Sequence, residues 1–271
     1  MRSRIGVASL FPREHGAYAQ LGVSIATAFG VAGLSAGGLL FTVAVAAGFL
    51  AHEPAAILLG QRGGRARRSR SAAARTWLAI CVTVLLVAAA GALAAIEPGG
   101  RWSIVAPLVF AMLLAVATVR GRDKSVEGEI AGGLAFSAAT LPVCVAGGAS
   151  PAVAVTVAVP LALLFTVSTL AVRITILKVR SGGHTRAADA TRRITFLLAA
   201  GAVVALSVAI ARDQLSPCVL AATAPGLLTA VIVAAHPPSP ARLRTLGWAL
   251  VGVSVFTAAI IVASAGWTSV R

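Results

Sequence analysis

Acidic residues are scarce in this chain: eight Asp and Glu in 271 residues, against 23 Lys and Arg. Charged residues of both signs make up only 11% of the sequence, where a soluble domain carries about a quarter. Too few charges remain to coat a water-facing surface, so a soluble globular fold is excluded. Cysteine is equally sparse. Cys81, Cys144 and Cys218 lie far apart in separate apolar stretches, without CxxC spacing. They read as small buried apolar residues rather than a disulfide framework or a thiolate metal site. Soluble catalytic signatures are missing too. His52-Glu53-Pro54-Ala55-Ala56 lacks the second histidine of HExxH, and there is no P-loop, no GxGxxG ahead of a strand and no GxSxG. No cleavable signal peptide is expected, because the first apolar run starts near Gly16 and continues too far for a signal h-region.

What is present is apolar: 58% hydrophobic residues and a mean hydropathy of +0.93. Nine apolar windows can be drawn, at 14–34, 38–60, 76–96, 102–119, 128–147, 152–177, 193–211, 217–235 and 245–266. Between them lie Gly- and Pro-rich breaks such as Glu97-Pro98-Gly99-Gly100 and His236 to Pro240. A bilayer offers no water to backbone polar groups, so long apolar runs must be helices and the breaks must fall at the interfaces. The expected fold is an all-α integral membrane protein, a single polytopic domain over residues 1–271 with about nine transmembrane helices.

The net charge of +15 and pI near 11.8 do not point to nucleic acid. The basic residues form short separate runs between apolar stretches rather than one basic surface. Assigned to alternate connections, twenty of the 23 Lys and Arg fall on one side; Arg101, Arg212 and Arg271 are the other three. The positive-inside rule then places the N-terminus and the basic connections in the cytoplasm. The longest connections, 61–75 and 178–192, are both Arg-rich and follow the second and sixth spans, a spacing that hints at internal duplication.

Ionisable groups inside a span are costly and usually functional. His52 and Glu53 lie in the second window, roughly 10 Å inside its cytoplasmic end, and Pro54 weakens the helix beside them. They are the candidate catalytic pair: a base, a metal ligand, a counter-ion, or at the least a neutral packing group. An isolated Glu53 is expected to be neutral, and a neighbouring cation, protonated His52 or Arg173, would keep it charged. Arg13-Glu14-His15 and Tyr18 lie at the cytoplasmic end of the first span, with Glu14 and Tyr18 on one face. Thr166, Thr169 and Arg173 form a polar stripe on the sixth span that Lys178 and Arg180 extend. Glu14, His15, Tyr18, Thr169, Arg173 and Lys178 are therefore the candidate substrate-binding residues, the alternatives being an interfacial anchor for the first group and an Arg173 that snorkels to the head groups. If the first, second and sixth helices are neighbours, these groups surround a pocket open to the cytoplasm. Which metal or cofactor such a pocket holds is not legible.

The run Phe11-Pro12-Arg13-Glu14-His15-Gly16-Ala17-Tyr18-Ala19-Gln20, with Ala51-His52-Glu53-Pro54 and Gly60-Gln61-Arg62-Gly63-Gly64-Arg65, resembles the YwiC-like family of bacterial membrane proteins, over the length of the chain. That resemblance implies a multi-pass protein of the bacterial cytoplasmic (inner) membrane. The span count, the orientation and the two long basic connections are similar, more distantly, to the UbiA superfamily of intramembrane prenyltransferases. The similarity implies a UbiA-like helical bundle whose pocket is lined by the second and sixth helices and the connections after them. It also implies a membrane-lipid ligand: an isoprenoid, a quinone or a haem-like lipid. Members of that superfamily hold Mg²⁺ and a prenyl diphosphate on two Asp-rich motifs, which are absent here. Asp123 and Asp189 lie outside any such motif, His52-Glu53 takes the first motif's approximate place, and Thr169 and Arg173 lie near the second's. A non-catalytic carrier or an accessory factor for respiratory complexes is the alternative function, and a carrier should continue its polar groups toward the outer face.

Overall fold

The computed structural model describes residues 10–12, 15–181 and 185–268. Among them there is no strand. The helices are α1 (His15–Ala32), α2 (Ala36–Leu58), α3 (Gly64–Ala95), α4 (Val105–Val119), α5 (Val126–Ala138), α6 (Thr140–Ala146), α7 (Pro151–Ser181), α8 (Arg186–Ala211), α9 (Pro217–Ala235) and α10 (Leu243–Thr268). A 3₁₀ stretch, Pro98–Ile104, leads into α4, and the two make one span; α5 and α6 together make another. Pro142 has no N–H for the Ala138 carbonyl, and α5 ends at that residue. Eight of these units are long and apolar enough to cross a membrane, and the apolar part of α1, Gly16–Ala32, is a shorter ninth.

The ends follow local chemistry. Ser35, Ser125, Thr185 and Ser216 precede helices and accept from backbone N–H groups of the first turn, as N-caps do. Pro54 does not end α2, which runs four residues further to Leu58. The largest departure from the sequence reading is at the two long basic connections. Residues 64–75 are the opening of α3, and α7 and α8 extend to Ser181 and from Arg186. Arginine and alanine are strong helix formers, so these Arg/Ala-rich stretches prolong the neighbouring spans. Only residues 59–63 remain as connection between α2 and α3.

The core is built on α7. Val157, Leu161, Leu164 and Phe165 are buried against Ala28 of α1, Val143 and Cys144 of α6, Ala222 of α9 and Ile261 of α10. A second cluster joins α7, α8, α9 and α10. By contrast α3, α4 and α8 leave large apolar side chains outside, among them Leu86, Val87, Met112, Leu113 and Leu197. Apolar surface of this extent has no place in water and suits contact with lipid tails. Cys81 and Cys144 are buried as expected; Cys218 is exposed, because it stands in the first turn of α9, at the edge of the bundle.

Candidate functional site

Two helices end in the same way and deliver the charged residues of the site. At the end of α2, Gly60 adopts φ +82, its N–H donates to Ile57 O at 3.0 Å, and the Gln61 N–H donates to Ala56 O at 3.0 Å. At the end of α4, Gly121 adopts φ +67, donating to Thr118 O at 3.0 Å while Arg122 N–H donates to Ala117 O at 2.7 Å. Both are Schellman motifs, which need a residue in the left-handed region and so favour glycine. In each, the second residue after the glycine turns back toward the bundle: Arg62 in one, Asp123 in the other. The Gln61 side-chain amide donates to the Thr118 carbonyl and ties the two turns together.

Arg62 lies between two carboxylates. Its Nε donates to both oxygens of Glu53 at 3.1 Å. Its Nη2 donates to Oε2 of Glu53 at 2.8 Å and to Oδ2 of Asp123 at 3.2 Å. His52 Nε2 stands 3.7 Å from Oδ2 of Asp123, beyond a direct hydrogen bond, and has no other partner within reach. The side chains are mostly withdrawn from the surface, 5% exposed for Asp123, 14% for Glu53, 17% for His52 and 23% for Arg62. This is a partly buried network and not a surface salt bridge. The hydrogen bonds to Glu53 hold the Arg62 guanidinium above its already high ordinary pKa, so Arg62 is the permanent cation of the group.

The sequence reading proposed Arg173 or His52 as the cation beside Glu53; the structure supplies Arg62. Arg173 meets the same α4–α5 connection further along. Its Nη1 donates to the Lys124 carbonyl at 3.4 Å, and its Nε is buried without a partner. The connection is thus held by Arg62 through Asp123 and by Arg173 through Lys124. The α5 helix packs closely on α7, whereas α2 and α7 make no extensive contact, so the second and sixth spans meet through this connection. Tyr18 packs edge-on against Phe49, with ring centroids 4.8 Å apart, and Phe49 packs against Phe136 at 5.5 Å. Phe49 is one helical turn before His52 and Glu53, so Tyr18 approaches the site from α1. Thr169 and Lys178 are half-buried on α7. His15 begins α1, and Glu14 lies outside the described residues.

Sequence reasoning did not single out Arg62 or Asp123. Their shared signal is a position just past a helix-ending glycine, in Gly60-Gln61-Arg62 and Gly121-Arg122-Asp123. A third glycine fixes the placement of Asp123. A Cβ on Gly128 would lie 2.6 Å from the Asp123 carbonyl oxygen and 2.7 Å from that of Arg122. Gly128→Ala should therefore push the connection off the α5 N-terminus and destabilise the protein by roughly 1–3 kcal/mol. Gly132→Ala should cost little, since its Cβ would meet only Leu114 at 3.8 Å. Thermal unfolding of the two variants in one detergent checks this; equal midpoints would refute the close approach.

The donor set does not suit Mg²⁺ as it stands. Arg62 occupies the space between Glu53 and Asp123 where a shared cation would sit, and among the described residues no group of three or more His, Cys, Asp or Glu is arranged to hold a metal. With two carboxylates to one guanidinium, the network is suited to accept hydrogen bonds from a polar group, and the unpartnered Nε2 of His52 is free to make one more.

Residues 11–144 are similar to the YwiC-like protein family, whose model matches that segment. The match takes in His52, Glu53, Arg62 and Asp123 and ends before α7, so the full-length resemblance expected from the sequence narrows to this part of the chain. No curated protein and no solved structure is matched by the chain.

Proposed function

We propose that this multi-pass membrane protein engages an amphipathic lipid of isoprenoid, quinone or haem-like type, with the lipid's polar head at the His52–Glu53–Arg62–Asp123 network. The observation that carries the reading is the unpartnered Nε2 of His52, buried beside a bridged pair of carboxylates. A buried polar atom without a partner costs about 1–3 kcal/mol, and such groups mark sites of ligand or proton exchange. The unpartnered Nε of Arg173 and Oε1 of Gln61 at the same end of the bundle support it. The positive-inside distribution turns this end toward the cytoplasm of a bacterial inner membrane.

In the UbiA-like form of the reading the site is catalytic. His52 accepts or returns a proton at Nε2, Asp123 steadies the imidazolium that results, and Glu53 and Arg62 hold the head group in register. In this reading Tyr18 on α1 and Thr169, Arg173 and Lys178 on α7 flank the approach to the head group. A carrier is less well supported. The ion pairs among the described residues all lie at the arginine-rich end. Elsewhere Thr27, Thr140, Thr223 and Thr257 spend their hydroxyls on backbone carbonyls at 2.6–2.7 Å, while the buried hydroxyls of Ser24 and Ser168 have no partner.

The test is extraction of the purified protein followed by mass spectrometry of its lipids. The wild type should carry an isoprenoid, quinone or haem-like molecule enriched over an unrelated multi-spanning protein prepared in parallel, and His52→Ala should lose that enrichment. A wild-type lipid complement identical to the control's would overturn the proposal.

A further inference from the structure

A second site lies outside this network, on the opening turns of α3. Gly64, Arg67, Arg68, Ser71 and Arg75 line a shallow concave surface that Leu58 completes from the end of α2. Arg68, Ser71 and Arg75 follow i, i+3, i+7 spacing and share one helix face, with Arg67 beside them. All three arginines are exposed, and none makes an ion pair with a described carboxylate. The arrangement is electrostatically unfavourable on its own. Arg65 and Arg70 add to it, the first turn of α3 holds no acid, and no side chain caps its N–H groups. A helix N-terminus carries partial positive charge and disfavours cations, and like charges at helical spacing repel. Arg65, Arg67 and Arg68 on that first turn, with Arg70 and Arg75 on the turns behind it, make a surface complementary to an anion.

The length of α3 says where the anion is. Its 32 residues span about 48 Å, against roughly 30 Å of bilayer hydrocarbon. The apolar part of the helix begins at Trp77, followed by lipid-exposed Ile80, Val82 and Val84. The arginine-bearing turns therefore run from about 3 to about 18 Å beyond the hydrocarbon, through a head-group layer about 5–8 Å deep, with Arg75 at the depth of the lipid phosphates and Arg68 reaching back toward them. Gly64 leaves room at the first turn, where a Cβ would be 3.5 Å from Arg68 Nη1, and Leu58 offers an apolar contact below the charges.

We propose that this surface binds the head group of an anionic glycerophospholipid, its phosphate held by Arg68, Arg75 and the Ser71 hydroxyl, with Arg67 closing the side next to the α2–α3 connection. The Arg67 stem lies along Gly60, 3.8 Å from where a Cβ would stand, on the same five-residue connection that presents Arg62. A bound lipid thus braces the connection that sets the charged network.

The experiment uses the full chain, extracted from vesicles of mixed phosphatidylcholine and phosphatidylglycerol, with retained lipid counted by mass spectrometry. The wild type should retain phosphatidylglycerol preferentially. Each basic charge near an anionic surface contributes about fivefold to affinity, so Arg67→Gln/Arg68→Gln/Arg75→Gln should weaken retention on the order of a hundredfold. The corresponding Lys variant should keep most of it. Thermal unfolding separates the sources of phosphate: phosphatidylglycerol should raise the wild-type midpoint and leave the Gln variant unmoved, while inorganic phosphate at equal concentration should move neither. Equal retention by the Gln variant, no preference over phosphatidylcholine, or an equal stabilisation by inorganic phosphate would each overturn the lipid site.

Discussion

Arg62→Met should destabilise the protein by about 3–5 kcal/mol, the cost of leaving a partly buried ion network without its cation. Glu53 and Asp123 would then face each other with only His52 nearby, and each would lose charge-assisted hydrogen bonds. The expected readout is a large fall in the unfolding midpoint in detergent and poor accumulation in the membrane. Replacing all three, as Arg62→Met with Glu53→Gln and Asp123→Asn, should recover most of the loss, because removing every charge is far less costly than stranding two of them. If Arg62→Met alone unfolds like the wild type, the network is a solvated surface feature and its role in placing the two connections is wrong.

The second large effect concerns Glu53→Gln. Glutamine keeps the size and can still accept from Arg62, and Asp123 remains as the charged partner, so folded protein should accumulate. A packing role for Glu53 therefore predicts a nearly silent variant. The proposed role predicts otherwise: with the carboxylate gone, Arg62 swings toward Asp123 and the head group loses a contact worth about 1.5–3 kcal/mol. Retention of the co-purifying lipid should fall by one to two orders of magnitude. Arg173→Gln should be similarly damaging, and Arg173→Lys intermediate, because an ammonium can reach the Lys124 carbonyl but cannot also place a donor where the unpartnered Nε stands. Wild-type lipid retention in Glu53→Gln would return Glu53 to a structural role.

Span count and span limits were legible in the sequence because they depend on one-dimensional quantities, apolar length and charge placement, that the bilayer enforces. Helix continuity was less so. Hydropathy starts the third window only at Thr76, but Arg65 to Arg75 are already helical, since helix propensity is indifferent to whether a residue is in lipid or water. His52 and Glu53 stood out as ionisable groups in an apolar run. Asp123 and Arg62 did not, because each lies in a short polar connection where charge is ordinary; only the three-dimensional convergence of two helix ends gives them a role. Arg173 was legible as a polar group on α7, yet its partner is a backbone carbonyl, which no side-chain pattern reveals.

The closeness of Glu53 and Arg62 along the chain has a consequence for biogenesis. They are nine residues apart, whereas Arg62 and Asp123 are separated by 61. A carboxylate entering the bilayer on α2 costs about 2.5–3.5 kcal/mol by insertion scales. Its guanidinium partner emerges from the ribosome almost at once and can neutralise it while only the first hairpin exists. Asp123 arrives on the order of 3–12 s later, at 5–20 residues per second. Sequence order thus allows the most awkward acid to enter the bilayer as a closed local pair, which Asp123 extends into an inter-hairpin junction once the fourth span has been made.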